Sequence, residues 1–383
     1  MKIDLTMDWI WGSAGKGGLS GYLALRRPYD AVVCSYGTQA GHSYNNRERG
    51  IKMMVQQIPV GIISPTVKNI FIGPGALIHA DVLRKELEDY AEFLEGKRLL
   101  IHEHAAVVTD EHSKKEYERG QTRMGSTAKG VGQAAIDRIL RDPDGKAVAK
   151  LAWKDTNLEQ YVVDRFTYID ELAKSQYLLV EGAQGFSLSM YHGDYPYCTS
   201  RDVTPWQIAA DCGLPWQWAS DIKVMGVCRS FPIRVNNRDG SSGPAYPDQK
   251  EITFEDIGQQ TELTTVTKLP RRIFEFSQAQ IKHAYFHCGG NNSSAVLSFA
   301  DYCRSEHELL SILKQIEDIG VKVSHVIYGP DDADVLDTSG GFLGDRMHAI
   351  INSWKEKRVI QHPTSPHAFY TGENSLATKL GKA

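Results

Sequence analysis

The 383-residue sequence has no surplus of either charge: 43 Lys and Arg stand against 47 Asp and Glu, a formal balance of −4. A general binder of nucleic acid polymer or of an anionic membrane needs a basic excess, so that class is excluded. No run approaches the roughly 18 apolar residues of a membrane-spanning helix, and the opening MKIDLTMDWIWG carries acids where a signal peptide would be apolar. These absences read as a cytoplasmic protein. Cysteine is scarce, six residues with no C-x-x-C pair, so neither a disulfide framework nor a zinc knuckle is expected, and the thiols read as small buried hydrophobes. Repeats, low-complexity blocks and clear linkers are also lacking. One domain over 1–383 is the expectation, with the loop-like stretch 236–252 as the alternative place to divide it.

What is present is the composition of an ordinary globular chain, 42% hydrophobic and 23% charged, with an excess of glycine at 34 residues. Ile3, Leu5, Met7 and Trp9 alternate with Asp4, Thr6 and Asp8, the period of a strand; a glycine-rich turn and the helical LSGYLALRR follow. Further strands are predicted at 31–36, 69–73, 98–103, 177–182, 222–228, 283–288 and 323–329, and helices at 80–95, 131–141, 157–174, 305–319 and 344–356. This alternation predicts an α/β fold, a mostly parallel central sheet with helices on both faces, and ligand sites at the carboxyl ends of its strands.

Four glycine loops follow predicted strands. In WGSAGKGG (11–18), Gly12, Gly15 and Gly17 free backbone N–H groups to face an anion and Lys16 adds a point charge. The spacing is not that of a Walker loop. In YGTQAGHS (36–43), His42 lies between Gly41 and Ser43, where an imidazole can act as an acid near neutral pH. MGSTAKGVG (124–132) offers the Ser126 and Thr127 hydroxyls beside Lys129, then a helix carrying Arg138 and Arg141, a donor set suited to a monophosphate. VEGAQGFSL (180–188) puts the Gln184 amide at a strand end, where it can read a purine edge, and HGDYPYCTSRD (192–202) follows with Thr199.

Together the loops resemble the adenylosuccinate synthetase family, which joins aspartate to the 6-position of a purine nucleotide using a triphosphate. WGSAGKGG is similar to its W-G-D-E-G-K-G-K segment, YGTQAGHS to G-G-x-N-A-G-H-T, MGSTAKGVG to G-T-T-x-x-G-I-G, and EGAQG with HGDYPYCTS to E-G-A-Q-G and H-G-T-Y-P-Y-V-T-S. TVTKLPRR (265–272) resembles the aspartate-binding T-x-T-G-R-x-R-R loop, and YGP (328–330) a nucleoside-binding turn. The resemblance implies a P-loop NTPase-like fold with elaborations. It implies catalytic roles for Ser13, His42 and Lys16, and triphosphate contacts from Gly12, Ala14, Gly15, Lys16, Gly17, Gly41, His42, Ser43, Gly329 and Pro330. Nucleotide contacts would come from Ser13, Gln39, Ser126, Thr127, Gln184, Thr199 and Val235, with Arg141 reaching across a homodimer interface. Aspartate would be held by Thr265, Val266, Thr267 and Arg271, and Mg²⁺ by Ser13 and the Gly41 carbonyl.

The departures from the family pattern redirect the substrate. The family's catalytic aspartate corresponds to Ser13 and the following glutamate to Ala14. A serine is a poor base without a neighbour to activate it, and the smaller residues leave room for a purine 2-substituent. The first arginine of the aspartate loop, near the ribose 2′-hydroxyl in the family, falls at Leu269, which fits a deoxyribose. The guanine-reading N/T-K-L-D is matched to HCGG (287–290), placing Gly290 at the carboxylate and favouring ATP or dATP over GTP as donor. A bacteriophage branch of the family has this serine and acts on dGMP, implying a ligase acting through a 6-phosphoryl intermediate in the host cytoplasm. Its product, 2-amino-2′-deoxyadenylosuccinate, leads to 2-aminoadenine for DNA. An ordinary adenylosuccinate synthetase acting on IMP, and a non-catalytic nucleotide-binding protein, are the competing readings.

Overall fold

The computed structural model describes residues 1–142, 145–236, 241–264, 269–338 and 343–361. Ten strands form its central sheet: β1 (Lys2–Asp8), β2 (Ala31–Cys34), β3 (Asn69–Ile72), β4 (Arg98–His102), β5 (Val162–Val163), β6 (Tyr177–Gly185), β7 (Ile222–Arg229), β8 (Ser293–Ser298), β9 (Val323–Ile327) and β10 (Val335–Asp337). Their spatial order is β10-β9-β8-β7-β1-β6-β2-β3-β4-β5. Every pairing is parallel except β9 with β10 at one edge. Ile3 to Asp8 and the whole of β2 are buried, so both faces of the sheet centre are covered, the requirement for a parallel sheet. β1 lies between β6 and β7, and its carboxyl end is therefore the middle of the ligand edge.

The helices used below are α1 (Lys16–Arg26), α2 (Val131–Leu140), α3 (Gln278–Cys288), α4 (Glu306–Glu317) and α5 (Leu343–Gln361). Two smaller units stand at the carboxyl edge. An antiparallel hairpin pairs His42–Asn46 with Ile51–Val55. A three-stranded antiparallel sheet of 233–234, 272–274 and 251–252 has its own core of Phe231, Ile233, Phe254, Ile257, Ile273 and Tyr302. The six cysteines, all among the described residues, form no disulfide; five are buried, as expected, and Cys198 is half-buried. Among the described residues no helix is long and apolar enough to cross a membrane.

The expected strands at 31–36, 69–73, 98–103, 177–182, 222–228 and 323–329 are present to within a few residues. HAYFHC (283–288) is not a strand: it is the last half of α3. Its apparent alternation is outweighed by burial of Ile281, Ala284 and Cys288 at helical spacing, and Ser277 caps the helix by accepting the Gln280 N–H. The strand at this place in the sheet is β8, ten residues later, whose SSAVLS lacks alternation because its last five residues are buried. The helix expected over 157–174 is divided, because Asp164 caps a new helix at 165–172 by accepting from Phe166 and Thr167 N–H groups, with β5 before it. The 80–95 helix is broken at Tyr90 into 80–89 and 91–94.

Candidate functional site

The chain between β1 and α1 turns through left-handed conformations at Gly12 (φ 94°), Ser13 (φ 54°) and Gly15 (φ 87°). Such a sequence of turns aims successive N–H groups into one concavity, a nest for an anion. Gly15 is also the N-cap of α1, and neither a capping side chain nor an acid occupies that first turn, so the positive end of the helix is left to a ligand. Ser13 and Gly15 are exposed on the concave side, while Gly12, Ala14 and Gly17 are buried.

Behind the nest the Lys16 ammonium donates to Asp8 Oδ2 at 2.8 Å. Both groups are buried, and Asp8 Oδ1 has no hydrogen-bond partner. Asp8 ends β1, so two neighbouring strands fix its position, and α1 fixes Lys16. The sequence motif had given Lys16 to phosphate alone; the carboxylate that orients it was not singled out.

Gly17 serves packing more than phosphate: a Cβ there would lie 2.9 Å from the Ser43 carbonyl oxygen and 3.1 Å from His42 Cβ. This close approach sets the hairpin, and with it His42, beside Lys16. His42 is buried, its ring edge-on to Tyr36 with centroids 4.2 Å apart, and its Nδ1 is 3.8 Å from Glu181 Oε2. Glu181, on β6, accepts from the Tyr36 hydroxyl at 2.6 Å and from the Val60 and Gly61 N–H groups at 3.1 and 2.7 Å. Burial first, and then the Lys16 charge, push the His42 imidazole below its ordinary value, against the opposing pull of Glu181. The resting histidine is therefore neutral at pH 7, and an arriving phosphate would shift it back toward the cation.

The turn holding Gly329 and Pro330 follows β9 and is tied to the same hairpin. The Pro330 carbonyl accepts from Asn45 Nδ2 at 3.3 Å, and Asp332 accepts from Tyr44 at 2.8 Å and from both Arg26 nitrogens. The first, second and last predicted triphosphate segments thus meet at one edge of the sheet.

The 124–132 loop joins them through Thr38, whose hydroxyl donates to the Lys129 carbonyl at 3.0 Å. Val235 packs on this loop, 3.0 Å from where a Cβ on Gly125 would be. The amino end of α2 is not open to a phosphate, however: the Glu116 carboxylate accepts from the Gly130, Gly132 and Gln133 N–H groups. The Ser126 and Thr127 hydroxyls remain as candidate anion donors in this loop, with Ser126 Oγ accepting from the Ala128 N–H at 3.2 Å. Arg138 turns inward to the Pro74 carbonyl at 2.8 Å, whereas Arg141 is exposed at the carboxyl end of α2 in a left-handed conformation. Gln39 Oε1 is buried without a partner. Gln184 is left-handed at the end of β6 (φ 64°), and Thr199 follows in a loop anchored by its N–H to the Leu188 carbonyl at 2.7 Å.

Thr265, Val266 and Thr267 lie outside the described residues. Their neighbour Arg271 donates its backbone N–H to the Glu262 carbonyl at 2.8 Å. The Glu262 carboxylate is paired with Arg229 and accepts from the Tyr302 hydroxyl at 3.1 Å, and the Arg229 guanidinium lies 3.6 Å from the centre of the Phe299 ring. Two guanidinium groups and one carboxylate therefore converge beside the small sheet, a net positive cluster.

One expectation is corrected. HCGG ends α3 and precedes β8, which places Gly290 at the amino edge of the parallel sheet, away from the nest. The acid at the ligand edge after β8 is Asp301, in the short turn 300–302. Phe299, two residues earlier, approaches a Gly15 Cβ position to 3.9 Å. Asp301 is buried, its Oδ1 lacks a partner, and burial pushes its carboxyl up to about 8, opposed by Arg229 and aided by Asp334 and Glu262.

Comparison with known proteins agrees with this geometry. The family model described as adenylosuccinate synthetase matches residues 7–156 and 142–302. The chain is 38% identical to the N6-succino-2-amino-2′-deoxyadenylate synthase of Acinetobacter phage SH-Ab 15497, over 94% of this chain and 99% of that one. It is 32% identical to the adenylosuccinate synthetase of Pyrococcus horikoshii, over 85% and 96%. Among solved structures it is similar to the succinoaminodeoxyadenylate synthetase of cyanophage S-2L bound to dGMP and to dATP as an energy donor. That match has a TM-score of 0.85 at 39% identity and covers 93% of this chain and 99% of the other. The fully ligated adenylosuccinate synthetase of Plasmodium falciparum shares the fold, with a TM-score of 0.72 at 17% identity over 88% and 100%.

The buried Lys16 and Asp8 pair generates a stability prediction. Lys16→Met leaves a buried carboxylate uncompensated and is expected to cost about 3 to 5 kcal/mol. Adding Asp8→Asn should recover much of that loss. Urea unfolding of the two single variants and the double variant measures the coupling; independent, additive effects would contradict it.

Proposed function

The chain belongs to the adenylosuccinate synthetase family, and from that premise we propose that it joins L-aspartate to the 6-position of dGMP using ATP or dATP. The observation that carries this reading is its similarity, along nearly its whole length, to the cyanophage enzyme bound to dGMP and dATP. Ser13 supports it: the side chain is short, uncharged and exposed at the mouth of the nest, where a purine 2-amino group needs space and no cation partner.

The guanine 6-oxygen is a poor leaving group, so it attacks the γ-phosphorus as the N1 proton is given up and ADP or dADP departs; the aspartate amine then adds at C6, loses a proton, and inorganic phosphate leaves. The nest amides, Lys16 and the α1 dipole take up the charge that moves between the phosphates. His42, neutral at rest, donates a hydrogen bond to a transferring oxygen and gains basicity as negative charge builds beside it, with Glu181 holding the ring from behind. Ser126, Thr127, Gln39, Gln184, Thr199 and Val235 hold dGMP. Arg141 reaches its phosphate from the second subunit of a homodimer, a reading supported by the exposed Ile139 and Leu140 next to it. Arg271 grips an aspartate carboxylate, with Arg229 beside it. The Ser13 hydroxyl, the Gly41 carbonyl and the unpartnered Asp8 Oδ1 are hard oxygen donors of the kind Mg²⁺ takes and would hold it. When bound, that ion neutralises the triphosphate.

The base of the triphosphate is read at Asp301. A protonated carboxyl presents one donor and one acceptor, the complement of adenine N1 and its 6-amino group; an ionised one would suit guanine. With its carboxyl near 8, Asp301 is mostly neutral at pH 7. Raising the pH through 8 removes the donor, so the KM for ATP should climb in the wild type. Asp301→Asn, which keeps both functions without titrating, should flatten that rise; an unchanged profile would remove Asp301 from base reading.

Turnover with ATP, Mg²⁺ and aspartate, offering dGMP, GMP and IMP separately and following ADP and succinyl nucleotide, tests the substrate assignment. Turnover of dGMP is expected, and efficient use of IMP with none of dGMP would overturn it. His42→Ala is expected to lower kcat on the order of 100-fold with little change in dGMP affinity. An unchanged kcat would exclude His42 from the chemistry.

A further inference from the structure

Beside the first glycine loop, whose Trp11 ring lies 5.8 Å from that of Tyr246, the loop after β6 and the last two turns of α3 bring three histidines together. His283 and His287 are four residues apart and therefore share one face of the helix. His192, from H-G-D-Y-P-Y, meets them from the loop. One ring nitrogen of each lies within 4.8 Å of the other two, the only such group of three or more His, Cys, Asp or Glu among the described residues. The ring centroids of His192 and His287 are 4.2 Å apart and those of His283 and His287 5.1 Å. Phe186 backs the cluster, stacked on His192 and on His287 at 5.3 and 5.6 Å and edge-on to His283 at 5.1 Å. All three histidines are half-buried, so an ion from solvent can reach them.

We propose that His192, His283 and His287 form a site for one zinc-class divalent ion, chemically distinct from the Mg²⁺ site of the reaction. Three imidazoles with no carboxylate among them are a borderline-soft nitrogen set, which selects Zn²⁺, Co²⁺, Ni²⁺ or Cu²⁺ and disfavours Mg²⁺. Zn–N bonds of about 2.0 to 2.1 Å need the three nitrogens closer than they stand at rest, and small ring rotations provide that. The paired positions on α3 are already one helical turn apart, the arrangement that recurs in helical zinc sites. Tyr246 supplies an orienting group: its hydroxyl is 3.3 Å from His283 Nδ1, which leaves Nε2 for the ion. A bound ion clasps the 189–202 loop, which carries Thr199, to α3.

The proposal is tested on the full-length protein in excess Mg²⁺, which keeps the hard oxygen site occupied, by titrating Zn²⁺ calorimetrically and Co²⁺ by visible absorption. One ion per chain with micromolar or tighter affinity is expected, with the ligand-field bands of imidazole-bound Co²⁺ and a rise in Tm on adding Zn²⁺. His287→Ala and His283→Gln should each weaken binding roughly 10-fold or more and abolish the Zn²⁺-dependent rise in Tm, while His104→Ala, at a histidine elsewhere, should not. No stoichiometric binding by the wild type, or equal binding by both cluster variants, would overturn the site. The readout is independent of dGMP turnover, so its failure would leave the ligase reading untouched.

Discussion

The site is organised around one buried contact, the Lys16 ammonium on the Asp8 carboxylate. Neither charge is stable alone at that depth. Each is held by an element that cannot easily move, Asp8 by a strand hydrogen-bonded on both sides and Lys16 by the first turn of a helix. The turn between them closes over only seven residues, and left-handed Gly12, Ser13 and Gly15 are what allow it. The nest, the free helix end and the cation are thus consequences of the same short connection. Because Asp8 retains an unpartnered oxygen, the pair is poised to share its charges with an incoming phosphate and cation.

Three other carboxylates position the surroundings, Glu181 and Glu116 buried and Glu262 half-buried. Glu181 pins Tyr36 and the 60–61 turn, and so supports the wall behind His42. Glu116 closes the amino end of α2 by accepting from its first N–H groups. Glu262 holds Arg229 in place beside Arg271. Each accepts more than one hydrogen bond, so its desolvation is offset by charge-assisted contacts.

Much of this was legible in the chain. The strand, glycine loop and helix at the start are visible because β1 alternates and LSGYLALRR follows its glycines with helical spacing, and the loops at 36–43 and 180–188 stand where strand ends predict ligands, whereas 124–132 follows the short turn 121–124. What was hidden depends on distant residues. Glu181 meets Tyr36 across 145 positions, and no local pattern reports that Glu116 fills a helix end. The fully buried end of β8 has no period to read, so the neighbouring aromatic run resembles the strand, and HCGG falls at the amino edge of the sheet while the acid at its ligand edge is Asp301. The place of Gly17 in the phosphate loop is legible in the motif, but that its lack of a side chain is also required by Ser43 is something only the packing reveals.

The proposed chemistry turns on phosphorylation of the guanine 6-oxygen before aspartate displaces it. The direct measurement uses dGMP carrying ¹⁸O at position 6, with ATP, Mg²⁺ and aspartate, and follows the label by mass spectrometry. The succinyl nucleotide is expected to lose the label and inorganic phosphate to carry it in equal amount. Turnover that yields unlabelled phosphate would contradict that chemistry.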